Sequence, residues 1–203
     1  LKAGDREAVE LWGDQAGELG ERVADVRQQY ADMINKHFAV TLSTLSPGLN
    51  VSLRHEPGWR GESLVNEMRL HAPRDVKLGS TQAGPHRGDV RIEIVPTSKH
   101  TMSQPAAQVL SRGQGKVVAS AMQLVQAQHL SSTMETSSLF LIDDAGAELD
   151  GEHRDRFFGM LRDHDYQILA TTTDSDWLSA GYHGVNRALF HVEHGHIEPV
   201  DQN

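Results

Sequence analysis

The first third of the chain carries a regular apolar seam. Apolar or small residues recur at alternating spacings of four and three, at Trp12, Ala16, Leu19, Val23, Val26, Tyr30 and Met33. Such a seam predicts a helix, and we expect it over about residues 8–36. At 1.5 Å per residue this helix would be roughly 40 Å long. That length favours an arm or a helical hairpin, and an ordinary amphipathic helix lying on a core is the alternative.

Strand and helix patterns alternate along the middle of the chain. Alternating apolar positions predict short strands at Val51–His55 and Val90–Val95. One-sided apolar patterns predict helices over Glu62–His71 and about Gln114–Leu130. We expect Pro73 to end the first of these helices, because proline interrupts the helical hydrogen-bond ladder.

A strand–helix–strand unit follows. Leu139–Ile142 is apolar at every position, which is typical of a parallel strand buried on both faces. A helix over about Asp150–Asp163 and a strand at Gln167–Thr171 complete the unit. Phe190–Val192 and Ile197–Val200 flank a glycine-containing turn and predict a closing hairpin.

The composition excludes several classes of protein. The chain has 203 residues, of which 38% are hydrophobic, enough for a packed core in one domain with an appendage. No apolar run reaches the ~18–20 residues that span a bilayer, so we expect no membrane partner. The absence of cysteine excludes disulfide scaffolds and thiolate zinc sites and fits a cytoplasmic protein. The chain begins at Leu1 without a signal peptide, and we interpret it as part of a longer protein.

Charge is distributed unevenly along the chain. The net charge of −9 divides into −3 over residues 1–75, +4 over residues 76–116 and −10 over residues 117–203. The total argues against a free-standing nucleic-acid binder, because phosphate contacts dominate such binding. A basic stretch followed by an acidic one could hold an anion and a divalent cation, and an unevenly charged, solvated surface is the alternative.

Small and polar residues gather where the helix near residue 114 should begin. The sequence there is Leu110-Ser111-Arg112-Gly113-Gln114. Small residues let backbone N–H groups and a hydroxyl approach an anion, and a helix N-terminus favours negative charge. The alternative is that Ser111 and Gly113 only cap the helix.

Two acids, Asp143 and Asp144, directly follow the apolar strand. This position places both carboxylates at the carboxyl edge of a sheet, where α/β proteins bind ligands. One carboxylate can hold Mg²⁺ and the next can orient an attacking water. The alternative is an acidic loop that caps the next helix.

A third acid, Asp150, lies six residues after Asp144 in Ala147-Glu148-Leu149-Asp150. In order and spacing, the three motifs resemble the signature, Walker B and D-loop motifs of the ABC/SMC ATPase superfamily. Within that superfamily the chain is similar to the RecF family. The matching residues are Trp12, Arg27, Tyr30 and Phe38 in the arm, Gly84-Pro85-His86-Arg87-Gly88-Asp89, Leu110-Ser111-Arg112-Gly113-Gln114 with Lys116, Ile142-Asp143-Asp144, and Glu148-Leu149-Asp150.

The resemblance implies a fold and a division of the chain. It covers nearly the whole chain but only the C-terminal part of the family's length. Residues 1–75 would form a helical arm. Residues 76–203 would form the C-terminal lobe of an ABC/SMC-type ATPase head, an α/β lobe with a mostly parallel sheet and flanking helices.

The phosphate-binding Walker A motif is missing from this sequence. Gly115-Lys116 is the nearest match, but Leu110 and Val117 stand where the motif needs Gly and Ser or Thr. By the resemblance, Walker A lies on an N-terminal lobe that precedes Leu1. We therefore expect this chain alone not to bind ATP tightly and to be inactive as an ATPase.

The resemblance also implies roles for single residues. In the superfamily the signature of one head contacts the ATP held by another, which assigns ATP contacts to Ser111, Arg112, Gly113 and Gln114. Asp143 would be the Walker B acid on the Mg²⁺ side. Asp144 would stand in the position of the catalytic glutamate, and its shorter side chain fits slow, switch-like hydrolysis.

Four further residues receive assignments. Asp150 would be the D-loop acid at the dimer interface, and Thr173 stands where many ABC proteins carry a switch histidine. His86 and Arg87 would contribute to a nucleotide or dimer surface, and a structural turn with a surface arginine is the alternative.

The function implied by the resemblance is that of a recombination mediator. The intact protein would be a weak, DNA-dependent ATPase, cytoplasmic and nucleoid-associated. It would dimerise on ATP and Mg²⁺ over double-stranded DNA near single-strand gaps and act with RecO and RecR in repair. Two alternatives stay open, a non-catalytic module of arm and half-head that needs a separate chain with Walker A, and a transporter ATPase subunit.

Overall fold

The computed structural model describes residues 6–96, 102–134, 136–173 and 187–200. This part of the chain contains six α-helices, seven strands and one 3₁₀ turn. In chain order they are α1 (Arg6–Leu45), β1 (Val51–Glu56), α2 (Leu64–Leu78), the 3₁₀ turn (Pro85–Arg87), β2 (Asp89–Ile94), β3 (Gln104–Pro105), α3 (Ala106–Val109), α4 (Arg112–Met134), β4 (Leu139–Ile142), α5 (Ala145–Glu148), α6 (Gly151–Asp163), β5 (Gln167–Ala170), β6 (Phe190–Glu193) and β7 (His196–Pro199).

The long helix α1 is confirmed, and it extends beyond the predicted residues 8–36. It spans 40 residues and ends only at Leu45. The large apolar residues of the seam face outward in this chain, because Trp12, Leu19 and Val26 are 67%, 58% and 66% exposed. A different side of the helix therefore packs against the rest of the chain.

Glycines line the side of α1 that packs against α2. A Cβ on Gly17 would lie 2.7 Å from Val65 Cγ2, and a Cβ on Gly20 would lie 2.5 Å from Leu64 Cδ2. Carbon atoms that are not bonded do not approach so closely, so both positions need a residue without a side chain. The two helices meet through these small residues, and the apolar seam is left uncovered by this contact.

The prediction that Pro73 ends the second helix is wrong. α2 continues through Pro73 to Leu78, and Gly79, with φ of 70°, forms its left-handed C-cap. Pro73 lies on the exposed side of the helix, where water can bind the carbonyl that a proline leaves without a donor. The local hydrogen-bond penalty is therefore small enough for the helix to continue to the glycine.

One hydrophobic cluster joins the second half of α1 to β1, β2, α4 and α6. Phe38, Leu124 and Leu161 are completely buried in it. Burying such a side chain contributes roughly 1.5–3 kcal/mol, so these contacts hold α1 firmly to the lobe. The cluster contains residues from both sides of residue 75, and the division of the chain at that position stays a prediction.

The described strands form three small sheets. The order β1-β2-β3 is antiparallel, with Arg54 opposite Arg91 and Glu56 opposite Asp89. β4 and β5 pair in parallel through the crossover helix α6, which makes the α/β unit that the sequence predicts. β6 and β7 form the predicted hairpin around a two-residue turn at His194 and Gly195, both with positive φ.

The prediction that β4 is buried on both faces is wrong for the described chain. Phe140 and Ile142 pack against the hydrophobic cluster, whereas Leu139 and Leu141 are 54% and 70% exposed. The exposed face continues onto β5 at Leu169, which is 62% exposed. The reason is that α4 and α6 cover only one face of this two-stranded sheet, while its sequence is apolar on both.

Candidate functional site

Two carboxylates and a hydroxyl meet at the carboxyl end of the parallel unit. Asp143 and Asp144 follow β4, and Thr171 follows β5. The Thr171 hydroxyl donates to Asp143 Oδ1 at 2.6 Å, and Thr171 Oγ1 accepts from the Asp144 backbone N–H at 2.9 Å. Backbone bonds of 2.9 Å from Thr171 N–H to the Ile142 carbonyl and from Ala145 N–H to the Thr171 carbonyl complete the arrangement. Thr171 thus positions both acids at the carboxyl edge of the sheet. The sequence predicted this position for Asp143 and Asp144, but it did not identify Thr171 as their partner.

Asp144 has an unusual backbone conformation. Its φ of 45° and ψ of 54° place it in the left-handed region, which aspartate and asparagine tolerate better than most residues. It precedes α5, but its side chain makes no capping hydrogen bond. The alternative in which this acid serves only as a helix cap is therefore not supported, and its exposed carboxylate remains available to a ligand.

Ser111 and Gln114 bind each other at the start of α4. The Ser111 N–H donates to Gln114 Oε1 at 3.0 Å, and the Gln114 N–H donates to Ser111 Oγ at 3.2 Å. This reciprocal pair is a capping box, which satisfies two of the N–H groups that a helix leaves unpaired at its start. The capping alternative therefore holds for Ser111 in this structure, with Gln114 rather than Gly113 as the second capping residue.

The same turn leaves open space above the helix end. Ser111, Arg112, Gly113 and Gln114 are all exposed. A Cβ placed on Gly113 would meet no atom of the described chain within 4 Å. Nothing inside this part of the chain therefore requires glycine here. An external partner that approaches the backbone closely would require it.

Asp150 begins α6 and is held by a histidine that the sequence did not single out. Asp150 Oδ1 accepts from the His153 N–H at 3.1 Å, and Oδ2 lies 2.7 Å from His153 Nδ1. The backbone bond from His153, followed by the bond from its ring, lowers the pKa of Asp150 below the usual range of an aspartate. The spacing of three residues after an acidic N-cap is the only sequence signal that could have identified His153.

Two contacts join α6 to the end of the arm helix. His153 Nε2 lies 3.2 Å from the Ser46 hydroxyl, just beyond α1. Arg156 donates to the Leu45 carbonyl at 3.1 Å and also pairs with Glu152. Asp150 is therefore linked through His153 to the residue that follows α1.

Three other predicted residues lie apart from the acid pair. Thr173 is exposed two residues beyond Thr171, and it is Thr171 that binds the acids. His86 Nε2 lies 3.1 Å from the Thr81 carbonyl, and Arg87 is exposed at the end of the 3₁₀ turn. The hydrogen bonds thus form separate groups, and their assembly into one site stays a prediction.

The donors at the acid pair suit a particular kind of metal ion. The part of the chain that the structure describes contains no group of three or more His, Cys, Asp or Glu side chains that could hold a metal. Mg²⁺ is commonly held by one or two carboxylates together with water and phosphate oxygens. Asp143 and Asp144 fit that arrangement, in which the nucleotide supplies the remaining ligands.

Comparison with known proteins gives a consistent result. The DNA replication and repair protein RecF of Shewanella oneidensis is 27% identical over 194 residues, which are 95% of this chain and 52% of that protein. RecF of Shewanella frigidimarina is 26% identical over the same length. The chain spans about half the length of these curated relatives. No protein-family model matches it.

Solved structures agree with the sequence comparison. The structure of the recombination mediator protein RecF with ATP has a TM-score of 0.74 and 20% identity, and the match covers 98% of this chain and 52% of that one. The resemblance to RecF is confirmed. An Smc head bound to the C-terminal winged-helix domain of ScpA has a TM-score of 0.56 and 18% identity over 94% of this chain. The chain therefore has the α/β fold of RecF and SMC heads, as predicted.

Among the residues that the structure describes, no helix is both long enough and apolar enough to cross a bilayer.

Proposed function

We propose that the chain is the arm and C-terminal half-head of a RecF-like, ATP-dependent recombination mediator. The observation that carries this proposal is the pair Asp143 and Asp144, held by Thr171 at the carboxyl edge of a parallel sheet. This arrangement supplies what phosphoryl transfer requires, a carboxylate for a metal ion and a second one for the attacking water. The similarity to RecF over 95% of the chain supports the same function.

The nucleotide would be shared between two heads. Ser111, Arg112, Gly113 and Gln114 would contact an ATP whose phosphates are held by a Walker A motif elsewhere, because this sequence contains no such motif. The exposed end of α4 and the open space above Gly113 support an approach from outside. Asp150 would lie at the interface between the heads, and Thr173 beside the nucleotide.

The exposed apolar face of the β4–β5 sheet is where we place the N-terminal Walker A lobe. Leu139, Leu141 and Leu169 present large apolar side chains to solvent on one face. Covering a side chain of this size contributes about 1.5–3 kcal/mol, so the three together favour association. The apolar seam of α1 would in the same way accept a second helix of the arm.

The biological role that we propose follows that of the relatives. They carry the name of a DNA replication and repair protein. The complete protein would close two heads over double-stranded DNA near single-strand gaps when ATP and Mg²⁺ bind, and open them on hydrolysis. RecO and RecR would be its partners, and the cytoplasm, near the nucleoid, would be its location.

The test uses this chain joined to its Walker A lobe, with Asp144→Asn as the variant. Neutralising the carboxylate should keep ATP-driven dimerisation, measured by light scattering, and abolish ATP turnover. Asp165→Asn is the matched control, because Asp165 is another exposed aspartate with positive φ, 54° against 45°. Normal hydrolysis by Asp144→Asn would reject the assignment, and equal losses in both variants would point to a backbone effect.

A second candidate is a non-catalytic interaction module, and the missing Walker A motif favours it. In that case the chain would dock a partner through its exposed apolar surfaces without turning over ATP. Titration of labelled ATP into the chain, alone and with its Walker A lobe, separates the two. Binding and turnover only in the mixture support the ATPase. Micromolar affinity of the chain alone contradicts both candidates.

A further inference from the structure

A cavity of about 690 Å³ lies beside the last residues of β1. The loop after β1, helix α2 and the 3₁₀ turn form its other walls. Its lining contains five arginines, namely Arg54, Arg60, Arg74, Arg87 and Arg91. Of the residues assigned to ATP or dimer contacts, only Arg87 belongs to this lining.

Positive charge dominates the cavity. Two glutamates, Glu56 and Glu67, accompany the five arginines, and Glu93 binds Arg54 from outside the lining, which leaves an excess of two positive charges with histidine neutral. An excess of guanidinium groups in a concave surface attracts anions and binds phosphate or carboxylate through paired N–H donors. The cavity is therefore built for an anionic ligand.

The floor of the cavity holds two arginines side by side. Arg54 and Arg91 are direct neighbours across β1 and β2, a placement that is unfavourable for like charges. Glu56 contacts both, at 3.2 Å from Arg54 and 2.7 Å from Arg91. The hydrogen bond that Arg54 donates to Glu93 raises the pKa of Arg54, so this guanidinium stays charged. The carboxylates fix the pair and leave it at the cavity surface.

The rim arginines Arg60, Arg74 and Arg87 differ from that pair. The structure shows no ion pair for any of the three with the residues that it describes. Arg60, Arg74 and Arg87 are exposed, so each can turn towards a bound anion. The Arg54–Arg91 pair is therefore held in place before a ligand binds, whereas the rim arginine side chains can reorient towards the ligand.

His55 is a buried histidine beside the cavity. It lines the cavity, is only 8% exposed, and its Nε2 has no hydrogen-bond partner. An unsatisfied buried polar atom costs free energy, and a ligand oxygen is one way to satisfy it. His55 shares the buried face of β1 with Val51 and Leu53, so its ring has to turn to reach a ligand in the cavity.

Two glycines fix the loop that carries Trp59 and Arg60. Gly58 has φ of 96°, and a Cβ there would lie 2.2 Å from the Gly84 carbonyl oxygen. The Gly84 N–H in turn donates to the Gly58 carbonyl at 3.2 Å. This crossing holds the loop against the turn that carries Arg87, so the walls are already in place before a ligand binds.

We propose that this cavity binds the phosphate of a nucleotide unit, with the Trp59 ring against its base. The rim arginines would hold the phosphate oxygens. Tryptophan supplies a flat apolar surface on which any base can stack. The volume lies within the range of sites that take small ligands. The unit could be a free nucleotide or the 5′ end of a DNA strand, because both present the same chemistry.

Fluorescence anisotropy with the 203-residue chain tests this proposal. The probes are a labelled oligodeoxynucleotide with a 5′-phosphate, the same strand with a 5′-hydroxyl, and unlabelled deoxynucleoside monophosphate as competitor. We expect the 5′-phosphate to strengthen binding. Competition by the monophosphate at similar concentration identifies a free nucleotide as the ligand, and weak competition identifies the strand end. Equal affinity for both strands without competition overturns the proposal.

Variants locate the site. Arg60→Gln with Arg87→Gln should weaken binding of the phosphorylated probe at least about tenfold, since hydrogen bonds between charged groups are the strong ones. Arg162→Gln removes one positive charge from α6, outside the cavity, and should change the affinity by no more than about twofold, whereas each rim substitution made alone should weaken binding further. Trp59→Leu should weaken binding of the nucleotide but not binding of inorganic pyrophosphate, and calorimetry measures both affinities. Equal effects of the rim and α6 variants would refute the site. Because ATP turnover is not measured, the outcome is separate from that of the proposed ATPase.

Discussion

Replacing Ser111 with alanine should destabilise α4 by a predictable amount. The hydroxyl accepts the Gln114 N–H at 3.2 Å, and the Gln114 side chain accepts the Ser111 N–H at 3.0 Å. Loss of such a cap costs about 1 kcal/mol. In a domain of this size that corresponds to a melting temperature lower by about 2–4 °C. Thermal unfolding followed by circular dichroism measures the shift.

Ser111→Asp separates the structural role from the proposed contact with ATP. Aspartate caps helices as well as serine does, so the variant should melt close to the unmodified chain. In the protein with its Walker A lobe, its negative charge would face the phosphates, and ATP-driven dimerisation should fall further than with Ser111→Ala. An unchanged melting temperature for Ser111→Ala, or an equal drop for Ser111→Asp, would refute the capping argument. Equal dimerisation by both variants would refute the ATP contact.

Three more predictions concern other parts of the fold. Thr171→Val removes the hydroxyl that binds Asp143. ATP turnover of the protein with its Walker A lobe should fall while the melting temperature hardly changes. Thr171→Ser keeps the hydroxyl and should restore turnover, and a failed rescue would count against the hydrogen bond. Gly58→Ala should lower the melting temperature more than Gly48→Ala, because both have positive φ but only Gly58 would clash; equal shifts would show that the contact can relax. The pKa of Asp150 is lowered from 3.8 by hydrogen bonds in the folded state. Its contribution to stability is therefore present above pH 3.8 and lost as pH falls through the folded value. Urea unfolding of Asp150→Asn at pH 6 and at pH 3 should show a larger deficit at pH 6, and a deficit independent of pH would contradict the linkage.

Local patterns predicted much of the fold. Helical periodicity located α1, α4 and α6, and the apolar run located β4, because each signal lies within one element. The position of Asp143 and Asp144 at a sheet edge followed from the same run. The structure and the relatives confirm the α/β fold of a RecF or SMC head. These features depend on neighbours in sequence, which is why one chain is enough to find them.

The features that the sequence did not predict depend on contacts between distant residues. α1 packs through Gly17 and Gly20 because their lack of side chains fits α2, and apolar periodicity cannot detect a face made of glycine. Thr171 lies 28 positions from Asp143 and reaches it only because β4 and β5 pair in register. His153 binds Ser46 across 107 positions. In each case the deciding partner is set by the tertiary fold.

The backbone of Asp144 limits which acid this position can hold. Its left-handed torsion angles suit aspartate better than glutamate. A glutamate at this position would strain the backbone, although its longer side chain would reach the attacking water more easily. On the proposed role, slow hydrolysis would then be a property of the main chain as much as of the side chain. On the same proposal, Asp144→Glu alone would not speed up hydrolysis, because the turn after β4 would also have to be rebuilt.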